Sequence, residues 1–375
     1  MPNQLKKSAT LIISSALEKN VYSNNYNYKI ILLKRNSKMR SSPNFHVYPG
    51  GKYDKTIDES LDWLDIFFNT KQLSEIRSNP ILLRKRFFNG LINQNSLGNL
   101  MISKHDDEKL LLPLEISYRL CAIRETFEET GLLLATNKSS DNFKETKSKI
   151  LTNYCKDNLN DIKSWHRLIK KDSSEFINMF LKLNLMPDIF GLHEWSNWIT
   201  PIHEKIRFDT YFFTCFLPSV PSQELFDINK DEVDTLELYT PSEALEKHKH
   251  KEIKFIPPQL YEFNRIQRFR DFDKFSEYSF TRQNYGLHPW LPKFVNNGKI
   301  GLLPGDYMYE TIKEEGCNST SIELHPLNSN LKLNRIIRNF EDKSKPMYDV
   351  ICNYDFDVRS KIMYTNFMNE ETPCN

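Results

Sequence analysis

The sequence predicts an α+β protein in which strands come first, a long helical stretch follows, and strands and a helix return. Three observations predict it. Short β-branched apolar runs occur near the N-terminus and again after residue 207, helical spacing dominates from about 60 to 185, and a Pro-Gly-Gly turn at 49–51 separates the two regimes. This pattern expects one domain over residues 1–275, with helical insertions at about 60–115 and 137–193. A loop-rich C-terminal extension over 276–375 is expected to pack on the same domain.

In chain order, SATLIISSAL (8–17) and YKIILLKR (28–35) read as two strands joined by an Asn- and Tyr-rich loop. FHVYPGGKYD (45–54) reads as a third strand that stops abruptly, because Pro49 lacks a backbone donor and Gly50 and Gly51 permit backbone angles closed to other residues. SLDWLDIFF and ILLRKRFFNGLI carry helical spacing, which SYRLCAIRETFEET (117–130) continues. A second helical tract runs from about 144 to 185. RFDTYFFTCFL (207–217) and EVDTLELYT (232–240) are strand-like, and TPSEALEKH (240–248) carries the signature of a capped helix start.

Composition narrows the function. The chain has 375 residues, 39% hydrophobic and 27% charged, enough to bury one large core or two modest ones. Its 51 basic and 49 acidic residues give a formal charge of +2, too balanced for a protein that coats nucleic acid. Six cysteines, Cys121, Cys155, Cys215, Cys317, Cys352 and Cys374, include no C-x-x-C pair, so neither a zinc knuckle nor a dense disulfide frame is expected, and a reducing compartment fits. No apolar run reaches the ~18 residues of a membrane span. A soluble intracellular protein without a membrane partner is expected.

The stretch AIRETFEETGLLLA (122–135) concentrates charge. On a helix, Glu125, Glu128 and Glu129 share one side while Leu120, Ile123 and Phe127 share the other. Arg124 lies four residues before Glu128 and can pair with it, and Gly131 is placed to cap the helix. Taken alone, three such acids describe either a solvated face or a hard-cation site, since Mg²⁺ prefers carboxylate oxygens.

Together, YPGG and RETFEETGL resemble the two halves of the box of the Nudix hydrolases, G-x5-E-x7-R-E-U-x-E-E-x-G-U, where U is bulky and aliphatic. Arg124, Glu125, Glu128, Glu129, Gly131 and Leu132 fall on the second half, with Thr126 in place of one aliphatic. The first half departs. Gly51 stands 73 residues before Arg124 where the pattern places 14, so 59 residues are additional, and Ile57 occupies the glutamate position with Asp58 and Glu59 as nearest acids. A box split by a helical insert resembles the acyl-CoA diphosphatase branch, nucleoside diphosphate-linked moiety X motif 19. HVYPGG, LCAIRETFEETG, EWSNWITP, RFDTYFF, PSEAL, EIKFIPPQLYE and LLPGD extend the resemblance from about residue 8 to 309.

The resemblance implies an α/β/α sandwich around a mixed sheet, with the helix at about 117–130 carrying the metal ligands. Glu125, Glu128 and Glu129 would hold Mg²⁺ or Mn²⁺, and Arg124 would orient a glutamate. Glu128, Glu129 or the loop acid Glu232 would take a proton from the attacking water. The implied reaction cleaves the diphosphate of CoA or acyl-CoA to 3′,5′-ADP and (acyl-)4′-phosphopantetheine. Gly50 and Gly51 line the expected substrate side, Lys34, Arg35, Arg40 and Arg207 are candidate phosphate-facing cations, and Phe208, Trp195 and Trp198 are candidate walls. His46, beside the turn, is expected to be structural. Alternatives are a Nudix enzyme acting on NADH, a dinucleoside polyphosphate or capped RNA, or a non-catalytic nucleotide-binding protein. Relatives imply mitochondria or peroxisomes, although the final PCN is not an S-K-L signal and MPNQLKKSAT is a poor transit peptide.

Overall fold

Strand β1 (Lys6–Ala16) is buried continuously from Ser8 to Ser15, as a strand covered on both faces must be. The computed structural model describes residues 5–18, 25–39, 41–83, 86–87, 110–138, 152–313, 320–322, 330–342 and 344–353. Parts of both expected insertions, residues 88–109 and 139–151, lie outside the described residues, as does Arg40.

The N-terminal strands form as the sequence predicts: β2 is Tyr28–Arg35, and the Pro-Gly-Gly turn splits the third run into β3 (His46–Val47) and β4 (Gly50–Lys52). Short helices follow, among them α1 (Lys55–Asp58), α2 (Trp63–Phe67) and α3 (Thr70–Ser78), and then the long helix α4 (Leu114–Thr130). The second insertion leaves and returns through a two-stranded hairpin, β5 (Ala135–Asn137) with β6 (Leu185–Pro187). Between these strands stand α5 (Thr152–Asp157), α6 (Leu159–Ile169) and α7 (Glu175–Leu183).

The chain returns to the main sheet as β7 (Leu192–Ile199), β8 (Phe208–Leu217) and β9 (Val233–Tyr239). β1 pairs in parallel with β8 on one side. On its other side it pairs with β4 at Ser8–Thr10 and with β2 at Ser14–Ala16, so β1 and β2 part company around the Pro-Gly-Gly turn. β7 is antiparallel to β8, β9 is antiparallel to β2, and the sheet is mixed.

Alternation assigns the two faces. Ala9, Leu11, Ile13, Phe213 and Cys215 pack with Ile116, Leu120, Ile123 and Phe127 of α4. The insertions cover the outer side of α4 and touch each other: Trp63 lies 5.9 Å from Phe176 and 5.8 Å from Phe180, and Phe176 lies 6.0 Å from Phe127, ring centre to ring centre. Ile12, Ile30, Leu32, Phe212 and Phe216 face the other way, onto α8 (Pro241–Lys249), α9 (Pro257–Ile266) and α10 (Phe272–Arg282). Thr240 and Glu243 form the capping box read from the sequence.

Two expectations fail here. The C-terminal region is not simply loop-rich, and the expected boundary at 275 falls inside α10. Beyond it, β10 (Pro289–Trp290) adds to the edge of the main sheet beside β7. Then β11 (Lys293–Val295), β12 (Ile300–Leu302), β13 (Asn334–Arg338) and β14 (Tyr348–Cys352) build a separate antiparallel sheet. Its Ile336 lies in the same buried cluster as Trp195 and Phe263. Two of these strands are only three residues long, and the five-residue pair, NRIIR and YDVIC, shows no apolar–polar alternation.

Trp195 and Trp198 are also reassigned. Both are buried on the face of the sheet away from α4, where their indole N–H groups donate to the two oxygens of the buried Glu262 carboxylate, at 2.6 and 2.8 Å. Arg265 donates to the same carboxylate at 2.9 Å and lies over the Trp195 ring. They fasten α9 to β7 and form no wall of a substrate site. Glu262→Ala leaves two indoles and a guanidinium without their shared acceptor. We expect a loss of about 3–5 kcal/mol in urea-induced unfolding; a loss below about 1 kcal/mol would contradict this role.

Candidate active site

The site begins where β4 passes beneath α4. A Cβ built on Gly51 would overlap the Glu125 carboxylate, so any side chain there would force that carboxylate out of its present position. One residue earlier, the Gly50 N–H donates to Glu129 Oε2 at 2.9 Å. The two halves of the split box therefore meet, although they stand 73 residues apart. The contact falls in the C-terminal half of α4, about three turns beyond its N-terminal end at Leu114.

Arg124, 3% exposed, closes the junction. Its Nε and Nη2 donate to the two oxygens of Asp58 at 2.9 and 3.0 Å, and Nη2 also donates to the Lys52 carbonyl at 2.9 Å. Its Nη1 donates to Glu125 Oε1 and to Glu128 Oε1, each at 2.9 Å. The expected Arg124–Glu128 pair is present, within a larger network. Asp58 is the partner that pattern reading did not assign. It lies one position beyond the missing glutamate, at the end of α1, where its own Oδ2 accepts the Asp54 N–H. An acid displaced by one residue regains the position because α1 turns the chain back toward Arg124.

Three carboxylates, Asp58, Glu125 and Glu128, thus surround one guanidinium, while Glu129 is held by the Gly50 N–H. Burial pushes the Glu125 carboxyl up to about 7, with the charge of Glu128 adding to burial and Arg124 opposing it. Burial also holds the Glu129 carboxyl well above the usual range, opposed by the Gly50 N–H and raised further by Glu125 and Glu232. Glu232 and Arg35 both act electrostatically on Glu129, the first raising its carboxyl and the second lowering it. Asn36 N–H donates to the Glu232 carbonyl at 2.8 Å, tying the end of β2 to the loop before β9.

Among the described residues, no three His, Cys, Asp or Glu side chains converge as a ready-made ion cage. The donor set nevertheless fits a divalent hard cation. It offers only carboxylate oxygens, it carries more negative charge than Arg124 offsets, and Arg124 engages Glu125 and Glu128 through Oε1 of each, leaving both Oε2 atoms. Other expected site residues lie elsewhere. Phe208 shares strand parity with Phe212 and Phe216, so it turns to the face away from α4, and it registers with Lys6, three positions along β1 from the Ala9–Gly51 pairing. Arg207 donates from Nε to the Thr200 carbonyl at 3.0 Å at that same end of the sheet. His46 is buried with Nε2 3.4 Å from Glu237 Oε2, the structural role expected of it.

Two outcomes follow from this geometry. Gly51→Ala should displace the Glu125 carboxylate and lower turnover at least tenfold while the protein stays folded, as measured by steady-state kinetics beside circular dichroism; unchanged turnover would show that activity does not depend on the present position of that carboxylate. The raised Glu125 group also sets a pH dependence in chelator. Its folded-state value lies above the ordinary 4.5, so its stabilising contribution is complete below about 4.5 and is lost as pH rises through about 7. Stability in EDTA should fall over this window by up to about 3 kcal/mol. Added Mg²⁺, which needs the ionised form, should raise the melting temperature more at pH 8 than at pH 5.5.

Residues 5–266 match the family described as the NUDT19 Nudix domain. A curated relative from Xenopus laevis, "Acyl-coenzyme A diphosphatase NUDT19", is 33% identical over 325 residues, covering 81% of this chain and 80% of that protein. Its namesake from Homo sapiens is 31% identical over 288 residues, covering 75% and 72%. A NUDIX hydrolase crystal structure from Alicyclobacillus acidocaldarius aligns at TM-score 0.44 and 17% identity, covering 70% of this chain and 91% of that one. With a family match over most of its length and a site joined as the split box requires, this chain belongs to the NUDT19 Nudix family and is a Nudix hydrolase.

Proposed function

We propose that this enzyme hydrolyses the diphosphate of CoA or acyl-CoA, releasing 3′,5′-ADP and (acyl-)4′-phosphopantetheine, with Mg²⁺ or Mn²⁺ as the ion. The observation that carries the reading is the excess of carboxylates on one side of α4, strapped by Gly50 and Gly51 and offset only in part by Arg124. The relatives named above, described as acyl-coenzyme A diphosphatases, support the substrate.

Glu125, Glu128 and Glu129 would hold the ion. Once bound, it would offset the charge of the diphosphate oxygens and make a bound water easier to deprotonate. The residues of the chain do the rest. Arg124 fixes the rotamers of Glu125 and Glu128, and Gly50 fixes Glu129. Arg35 presents a cation on the same side, suited to a substrate phosphate. Water attacks one phosphorus, the bond from that phosphorus to the bridging oxygen breaks, and the bridging oxygen leaves on the other phosphate. We assign the proton released by the water to Glu232. Among the described residues, its carboxylate has no protein partner, whereas Glu125, Glu128 and Glu129 each accept a hydrogen bond. By family resemblance alone, we place the enzyme in mitochondria or peroxisomes, which organelle fractionation tests.

A site with cations for the 3′-phosphate leaves them uncompensated when dephospho-CoA binds, at a cost of about 1–3 kcal/mol. CoA should therefore exceed dephospho-CoA and NADH by at least tenfold in kcat/KM, with products identified by mass. Glu129→Gln should abolish most turnover of every substrate. A preference for NADH or dephospho-CoA would overturn the CoA assignment, and wild-type turnover in Glu129→Gln would remove that residue from the site.

A further inference from the structure

The last turn of a helix leaves four carbonyls without intrahelical donors. In α4 they belong to Phe127, Glu128, Glu129 and Thr130; the cap residue Gly131 continues the ladder to the first, and the other three are satisfied from outside the helix. The Gly131 N–H takes Phe127 O at 2.8 Å, the Asn229 N–H takes Glu129 O at 2.9 Å and the Asp227 N–H takes Thr130 O at 2.8 Å. The fourth donor comes from the second insertion: His166 Nε2, on α6, lies 3.0 Å from Glu128 O.

The same imidazole reaches the loop as well. His166 Nδ1 lies 3.1 Å from Asp227 Oδ2, and the ring, 1% exposed, stands edge-on to Phe127 at 5.3 Å. A carbonyl only accepts, so Nε2 carries the hydrogen toward Glu128. One buried side chain is therefore clamped between the turn that bears Glu128 and Glu129 and the loop that runs on to Glu232.

We propose that His166 is a positioning residue for the metal-binding turn, holding the end of α4 and the 227–232 loop in one register. The second insertion is then part of the catalytic apparatus. This rests on the assignment of Glu125, Glu128 and Glu129 as metal ligands. Two carboxylates that leave a single helical turn move together when that turn moves. Without His166, the Glu128 carbonyl loses its donor and the loop loses its side-chain tie to the insertion, so the backbone bonds from Asp227 and Asn229 alone hold the turn to the loop and the position of the Glu128 peptide loosens. A purely packing role against Phe127 would be served by an apolar ring, with neither nitrogen aimed at an acceptor.

The test measures Mn²⁺ binding to the full chain without substrate, by the electron paramagnetic resonance signal of the free ion, for the wild type, His166→Ala and His166→Gln. Melting curves and the Mg²⁺ dependence of turnover accompany it. The Gln amide can donate one N–H near the position of Nε2. We expect His166→Ala to weaken Mn²⁺ binding and lower kcat by ~10-fold each, with KM within about twofold of wild type, and His166→Gln to recover most of both. Mn²⁺ affinity in His166→Ala within twofold of wild type overturns the proposal, as does a Gln variant no better than Ala. Loss of fold in both variants also overturns it, since the residue then supports the domain and not the site. A wild type that binds no Mn²⁺ removes the metal assignment itself, an outcome distinct from unchanged binding in the variants.

Discussion

The site depends on the buried guanidinium of Arg124. A cation withdrawn from water is costly unless nearly every donor finds an acceptor, and here three nitrogens reach Asp58, the Lys52 carbonyl, Glu125 and Glu128. These partners come from three places in the chain: the end of β4, the end of α1 and α4 itself. Fixing one side chain therefore fixes the strand, the short helix and the acidic side of α4 relative to one another. The remaining features of the site, including the glycine approach and the Gly50 bond to Glu129, exist because this register holds.

Arg124 does not neutralise its surroundings. Glu125 and Glu129 retain their protons to higher pH than a free carboxyl because burial and their neighbours disfavour the ionised forms. Electrostatic tension of this kind wastes stability in a protein that only needs to fold. It is useful where a divalent cation restores balance, since each ligand's ionisation then favours the ion over competing protons. The acidic face stays poised because the guanidinium of Arg124 is shared with Asp58, which has no access to solvent.

Much of this was legible in the sequence, and the illegible parts have physical causes. The acidic side of α4, its apolar side and the Gly131 cap follow from helical spacing alone, and Gly131 adopts the left-handed angle, φ 73°, that the cap requires. The strands with clear β-branched content, β1, β2, β8 and β9, were also readable. β7 was not identified as a strand, because LHEWSNWI is buried at every position but the last and so shows no alternation. The tryptophans looked available for a ligand because a sequence does not reveal which face of a sheet a side chain takes. Their acceptor, Glu262, is more than sixty residues away. Asp58 and His166 were missed for the same reason: each acts on α4 through contacts that no local pattern encodes.

The split box raises a question of cost. Lengthening the Gly51–Arg124 separation from 14 residues to 73 adds only about 1.5 kcal/mol of closure entropy, because that entropy grows with the logarithm of length. A buried, multiply bonded arginine offsets more than this, so the two halves can be far apart in sequence without loosening the site. The added residues also do not remain a passive loop. Trp63 from the first insertion packs on Phe176 and Phe180 from the second, and both insertions lie against the outer side of α4. A helix that a smaller domain would leave partly in water is enclosed on both sides, by the main sheet and by the insertions. Enclosure removes the solvent that would otherwise satisfy the last carbonyls of α4, so they must be satisfied by protein. The insertions thereby create the need that His166, Asp227 and Asn229 meet, and in meeting it they tie the outer layer of the protein to the turn that carries Glu128 and Glu129.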